Sequence, residues 1–446
     1  MFVQFSVANY RSFLERVTLS AVASTDRQHP RNLLRVAGGR DINLLKSLAI
    51  YGANASGKSN LIRAMGVMRE TVLSSVEAND ALPMTSFKLS SKASKRPTEL
   101  EVVFIDGGER YVYGFSADES RISDEWLTAC ALKPRARSRL LFRRSRGGAI
   151  DFGPSWQGER KRLVKLTRPN ALFVSVASQF ASPTAKLVCE WFRKSVQPAS
   201  SDPGADVDAS TTRRMLSSGG RLARKVTEFL KVADLGIVDL KVGKQPIFSE
   251  QNPERMRKSS PKMAEAIENL FAIVDAEIAE VGGLLKRRRG DAKARANTVE
   301  VVRALHRRDD GEDVTFSMNH DESAGTQKLF ALTGVWLQAI KDGKLILIDE
   351  FDSHLHPLIT RFLIKECHAS TAGAQLVFTT HDCGLLDAEL FRRDQVWFTE
   401  KNEAGATDLY SLWDYDVRKV RKDENFRIGY LQGRYGAIPF VGELVL

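Results

Sequence analysis

The run Gly52-Ala53-Asn54-Ala55-Ser56-Gly57-Lys58-Ser59 satisfies every fixed position of G-x-x-x-x-G-K-[ST]. The chemistry open to such a loop is to hold a polyphosphate. Glycines let the backbone curl so that N–H groups face phosphate oxygens. A following helix adds its partial positive charge. Lys58 can reach the β- and γ-phosphates of ATP, and the Ser59 hydroxyl can ligate Mg²⁺. Gly52, Asn54, Ala55, Ser56, Gly57 and Asn60 complete the set that would surround the nucleotide. The competing reading is a glycine-rich strand–helix turn with a chance lysine. The apolar run before the loop and the amphipathic run after it weigh against that.

Hydrolysis also needs an acid for the metal and a group that positions water. Leu345-Ile346-Leu347-Ile348-Asp349-Glu350 supplies both. Four apolar residues predict a buried strand, and ligands bind at the carboxyl ends of strands in open α/β sheets. Asp349 is expected to hold Mg²⁺ through water, and Glu350 to orient or deprotonate the attacking water. A bland alternative is a helix start that uses its acids near the dipole. Glu322-Ser323-Ala324-Gly325-Thr326-Gln327 opens a helix just before this strand. Ser323 and Gly325 there make a second phosphate-binding surface, expected to serve a neighbouring subunit's nucleotide. Thr379-Thr380-His381-Asp382 closes a further apolar strand, where His381 can hydrogen-bond a γ-phosphate.

The order of P-loop, ESAGTQ, LILIDE, FDSHLHP and FTTHD resembles the ABC-type ATPases, in the branch that holds SMC, RecF and OLD proteins. The opening VANYRSF is similar to that branch's first strand and turn. The closing GYLQGRYGAIPFVG is similar to the tail of short AAA-type ATPases of bacterial abortive-infection and phage-defence operons. The resemblance implies that Ser323 and Gly325 belong to the signature, Asp352 to the D-loop, and that His381 is the switch histidine. It implies a head-to-tail homodimer or higher homo-oligomer that sandwiches ATP and Mg²⁺. It further implies control of a separate effector, such as a nuclease, in anti-phage defence. A RecF- or SMC-like DNA-binding ATPase of repair is the alternative, and a transporter motor a weaker third. Thr85–Ser91 stands where a Q-loop would, and contains no glutamine. A C-terminal Toprim domain is not expected, since 65 residues (446 − 381) follow His381.

These groups need elements to hold them. Phe2–Val7 alternates as a strand, and NLLKSLAIYG reads as one buried strand entering the loop. PTELEVVFIDGGERYVYGFSAD reads as a hairpin turning at Asp106-Gly107-Gly108. From about residue 155 the pattern turns helical, as in SPTAKLVCEWFRKSV, GGRLARKVTEFLKVA and SPKMAEAIENLFAIVDAEIAEV. Ser195–Gly220, rich in Ser, Asp, Pro and Gly, reads as an exposed loop. After residue 298 strands and helices alternate, which means a parallel sheet covered by helices. The expected fold is α/β: an ABC-type P-loop ATPase core, a mixed sheet flanked by helices, interrupted by a mostly helical insertion. Its parts are an N-terminal lobe (1–150), the insertion (151–297) and a C-terminal lobe (298–446).

Among 446 residues, 43% are hydrophobic, enough for one large core or two ordinary ones. No run of eighteen apolar residues suggests a membrane span. The four cysteines are far apart, as in a reduced cytoplasmic protein. The formal charge of +11 favours a polyanionic partner. Lys133–Arg146 carries seven basic residues and no acid, with further basic runs at Glu159–Arg168 and Lys286–Arg289. These read as a surface for DNA or RNA, or as a solvated or acid-docking face. His354 and His356 lack the companions a metal site requires, and Asp414-Tyr415-Asp416 the length a nuclease domain requires.

Overall fold

All six residues of Ser47–Gly52 are buried, and that burial suits them to an inner strand. In the computed structural model, which describes residues 1–36, 42–77, 81–200, 207–233, 236–246, 298–415 and 425–439, they lie in a six-stranded sheet. Its order is Val196–Pro198, Leu345–Ile348, Gln375–Thr379, Ser47–Gly52, Val396–Lys401, Thr407–Ser411. The first five run parallel and the last antiparallel. Phe378 pairs with both Ile348 and Ala49, so Asp349, Thr379 and the P-loop emerge at the same end of the sheet.

The second sheet is antiparallel and seven-stranded: Ile150–Phe152, Arg139–Arg144, Ile122–Ala131, Glu109–Ala117, Thr98–Asp106, Phe2–Ala8, Val17–Ser20. The turn Gly107-Gly108 has positive φ at both residues (54° and 78°), which only glycines adopt cheaply, and it joins the hairpin read from the sequence. Helix Lys58–Ser74 buries Leu61, Ile62, Met65, Met68 and Val72. They share one apolar core with Phe5, Phe104 and Tyr113 of the antiparallel sheet and Leu345, Leu347 and Val377 of the parallel one. Near the acidic strand, Trp336 of helix Ala324–Asp342 stacks on Phe351, which meets Phe378 edge-on.

Contacts divide the chain into two units, Met1–Thr212 with Lys328–Leu446, and Arg213–Gln327. Residues 151–212 thus belong with the first unit, and the strands just after residue 298 with the second. The second unit holds a three-stranded antiparallel sheet, in the order Ile237–Pro246, Thr298–Arg307, Asp313–Ser317. Helix Gly220–Val232, in the same unit, buries Val226 and Leu230.

Two expectations fail locally. NLLKSLAIYG is two strands: Ile42–Leu45 pairs with Leu33–Val36, and Ser47–Gly52 joins the parallel sheet. The break falls at Lys46, whose buried Nζ donates to the carbonyls of His368 (2.6 Å) and Ser370 (2.8 Å) at the end of helix Pro357–Ala369. The stretch read as an exposed loop begins with Val196–Pro198, an edge strand beside Leu345–Leu347, and includes helix Ser210–Ser217. Residues 201–206 of that stretch, the helix expected over 260–281, Lys286–Arg289, Asp416 and the tail from Phe440 lie outside the described residues.

Candidate nucleotide site

The P-loop is held from three directions. Gly57, at φ 115°, begins helix Lys58–Ser74, and a Cβ there would collide with the Thr407 side chain and come within 2.9 Å of Ser12 Oγ. A Cβ on Gly52 would lie 2.5 Å from the Thr399 carbonyl oxygen. The Ser56 hydroxyl bonds that of Thr399 (2.7 Å), and Thr407 Oγ1 donates to the Ser56 carbonyl (2.6 Å). Asn60 Nδ2 donates to Ser12 Oγ (2.9 Å), and Thr407 N to the Ser12 carbonyl (2.7 Å). Asn54 and Ala55 form the exposed tip, while Ser59 and Asn60 are half-buried.

Lys58 is buried, and its Nζ donates to the loop's own carbonyls at Gly52 (2.9 Å) and Ala53 (3.0 Å). Burial lowers its pKa to about 8, against the opposing pull of Asp349, Glu350 and Asp352. The lysine and the three carboxylates therefore share one electrostatic environment. His381 joins it: burial, then Lys58, lowers its pKa, while Asp352, Glu350 and Asp349 raise it.

The acidic strand ends where its neighbour can reach it. Thr379 Oγ1 donates to Asp349 Oδ1 (2.5 Å) and accepts from Glu350 N (2.8 Å). Phe351 N donates to the Thr379 carbonyl (2.9 Å). Glu350 is exposed and stands at φ 47°, in the left-handed region that non-glycine residues seldom occupy. Lys328 Nζ donates to the carbonyls of Glu350 and Ser353, each at 2.8 Å. Asp352 accepts from His381 N at 3.3 Å. The structure thus brings Lys58, Asp349, Glu350, Asp352 and His381 to one end of the parallel sheet.

Ser323 and Gly325 fall in the second unit. The Ser323 hydroxyl bonds Thr326 Oγ1 (2.9 Å) and accepts from Thr326 N (3.2 Å), capping helix Ala324–Asp342. Glu322, just before, pairs with His306 of strand Thr298–Arg307 (2.7 Å). His356 caps helix Pro357–Ala369, its Nδ1 accepting from Leu358 N (3.2 Å), and His354 is exposed.

The basic run divides by role. Arg144 is buried and donates to the Ala171 carbonyl (2.7 Å), near buried Glu125. Glu125 accepts from Phe173 N (2.6 Å) and Val174 N (3.0 Å). Burial raises its pKa, and Arg144 opposes that. Arg139 pairs with Glu109 (2.6 Å). Arg144 is therefore structural and does not belong to the phosphate surface expected of the run, while half-exposed Arg139 is already paired with a carboxylate. Lys133, Arg135, Arg137, Arg143 and Arg146 remain exposed.

The residues fit a nucleotide and a hard cation. The loop leaves no room for a Cβ at Gly52 or Gly57. The serine hydroxyl and the carboxylate offer oxygen ligands of the kind Mg²⁺ takes. Among the described residues no three His, Cys, Asp or Glu gather as a metal cage. Mg²⁺ does not need one, since it is commonly bound by one or two carboxylates together with phosphates and water. The supports outside the loop carry no local signal in the sequence. Thr399 and Thr407 are ordinary polar residues far from it along the chain; Ser12 and Lys328 lie within VANYRSF and ESAGTQKL, but nothing in those runs tells which groups they hold.

The family described as "AAA domain, putative AbiEii toxin, Type IV TA system" matches residues 47–175 and 222–387. No curated protein sequence matches the chain. Among solved structures, the chain is similar to an SMC head bound to the C-terminal winged-helix domain of ScpA, at 13% identity and TM-score 0.44, covering 94% of this chain and 99% of that one. It is similar also to the SMC head domain of Thermotoga maritima, at 11% identity and TM-score 0.39, covering 92% and 98%. A third is an Smc head with an extended coiled coil, bound to the C-terminal domain of ScpA derived from Pyrococcus furiosus. It is 13% identical with TM-score 0.39, covering 92% and 96%.

Proposed function

The chain belongs to the AAA-domain family of putative AbiEii toxins, and on that premise we propose that it binds ATP with Mg²⁺, hydrolyses it, and controls a partner effector in anti-phage defence. The observation that carries the ATPase reading is that Lys58, Asp349, Glu350, Asp352 and His381 meet at one end of the parallel sheet, beside a loop that excludes any side chain at Gly52 and Gly57.

The P-loop amides and Lys58 bind and neutralise the phosphates. Ser59 and Asp349 are the residues that would hold the cation. Bound Mg²⁺ supplies positive charge to the phosphate oxygens. Glu350 takes a proton from the attacking water, and His381 donates a hydrogen bond to the terminal phosphate. Ser323 and Gly325 present helix-start donors to a second subunit's nucleotide, and Asp352 lines the same junction. Hydrolysis would then open the dimer. The family's description as a putative toxin supports the defence role. Exposed Arg135, Arg137, Arg143 and Arg146 favour the second reading, a DNA-binding ATPase of the RecF or SMC kind.

Glu350→Gln tests the first reading. It keeps size and hydrogen-bonding reach but removes the base. ATP affinity should persist while turnover falls by about 10²–10⁴-fold, the range of a general base. Wild-type turnover in the purified variant would remove Glu350 from the role.

A further inference from the structure

We propose that Thr379 is a positioning residue for this site, a reading that rests on the proposed ATPase function. Its hydroxyl makes two bonds at once, donating to Asp349 Oδ1 (2.5 Å) and accepting from Glu350 N (2.8 Å). Its carbonyl takes a third, from Phe351 N (2.9 Å). One fully buried side chain thereby fixes a carboxylate on one side of a peptide and the backbone of the next carboxylate on the other.

The arrangement answers two physical problems. A carboxylate at a strand end can rotate about its side-chain torsions, and a hydrogen bond to one oxygen holds it in a single orientation. Glu350 carries the second problem. Its φ of 47° is costly for a residue with a Cβ, and such a conformation persists only where neighbours over-determine it. Thr379 holds the amide before the strained residue, and Lys328 holds the carbonyl after it. Without the hydroxyl, Glu350 loses the bond on its N-terminal side and Asp349 loses its orienting donor.

Threonine is suited to this post. The hydroxyl is donor and acceptor together, and the β-branch leaves few side-chain rotamers. Valine has the same branch without the hydroxyl. Serine keeps the hydroxyl without the branch. Comparing them separates bonding from packing.

The test measures ATP binding by isothermal titration with EDTA and again with Mg²⁺, alongside turnover and thermal unfolding. In Thr379→Val, metal-free ATP affinity should match wild type, because Lys58 and the loop are untouched. The gain in affinity on adding Mg²⁺, and turnover, should each fall by about 10–100-fold, the usual effect of removing a partner behind a metal ligand. Thr379→Ser should restore both. If Thr379→Val does not fold, Thr379→Cys carries the test: its thiol is a poor donor, and a loss of the Mg²⁺ gain is again expected. A Mg²⁺ gain and turnover equal to wild type in a folded Val or Cys variant would overturn the proposal, as would a Ser variant no better than Val. A wild-type chain without Mg²⁺-dependent ATP binding would instead sink the ATPase reading itself.

Discussion

Raising the pH from about 7 to about 9 should make ATP binding draw an increasing number of protons onto the protein. The source is Lys58, buried against loop carbonyls with its pKa lowered to about 8. Without nucleotide, the fraction of chains with a neutral lysine is about 0.1 at pH 7, 0.5 at pH 8 and 0.9 at pH 9. Phosphate charge beside the amine favours the ammonium form and lifts the pKa well above this range. Binding should therefore take up about 0.1, 0.5 and 0.9 proton at the three pH values. Titration calorimetry in two buffers of different ionisation heat, with EDTA present, reads this number directly. His381 gives the opposite trend: its pKa is lowered from the usual imidazole value, so any uptake there shrinks as pH rises. Lys58→Arg should bind with little pH-dependent uptake, since guanidinium stays charged throughout. Uptake that falls with pH, or that persists unchanged in the arginine variant, would refute the reasoning. The same shift has a stability consequence. The unfolded chain binds more protons than the folded one between about pH 8 and the ordinary lysine value, so the nucleotide-free fold should gain stability as pH rises through that window.

Ser323→Arg should leave single-subunit ATP binding intact and block ATP-driven dimerisation, because a bulky cation replaces a helix-start donor. Light scattering that still shows an ATP-dependent dimer would rule out the shared-site arrangement. Neutralising Arg135, Arg137 and Arg143 should lower the log–log salt slope of nucleic-acid binding by about 0.7–0.9 per lost phosphate contact. An unchanged slope in fluorescence anisotropy removes the stretch from the binding surface. Arg144→Ala should instead destabilise the fold by about 1–3 kcal/mol, since it leaves the Ala171 carbonyl without its buried donor and removes a positive charge near Glu125. Wild-type stability in denaturant unfolding would refute that role.

The P-loop and the acidic strand are legible because each writes its function within a few consecutive residues. Gly52 to Ser59 carry their own turn chemistry, and Leu345 to Ile348 their own burial. What escapes depends on residues far apart. Lys46 looks like a charge tolerated inside one strand, and only the helix end at His368 and Ser370 shows why the strand breaks there. Arg144 reads as one of seven surface cations until Glu125 and the Ala171 carbonyl surround it. Strand Ile237–Pro246 alternates as I-V-D-L-K-V, too briefly to stand out from the helical segments around it. Thr379 and Thr380 are adjacent threonines before His381, and nothing in their order tells which one holds Asp349.

The supports of the P-loop have a consequence for how the protein is made. Ser12 precedes the loop, but Thr399 and Thr407 come about 350 residues after it. At translation rates of about 5–20 residues per second, Gly57 leaves the peptidyl-transferase centre roughly 20–70 s before Thr407 is added. During that interval the nascent chain holds a glycine-rich loop with two of its three braces, Thr399 and Thr407, absent. A ribosome that stalls before residue 399 would release a product that cannot shape the loop, and so a fragment unable to act on nucleotide. The strands that finish the sheet also decide when the protein first becomes competent.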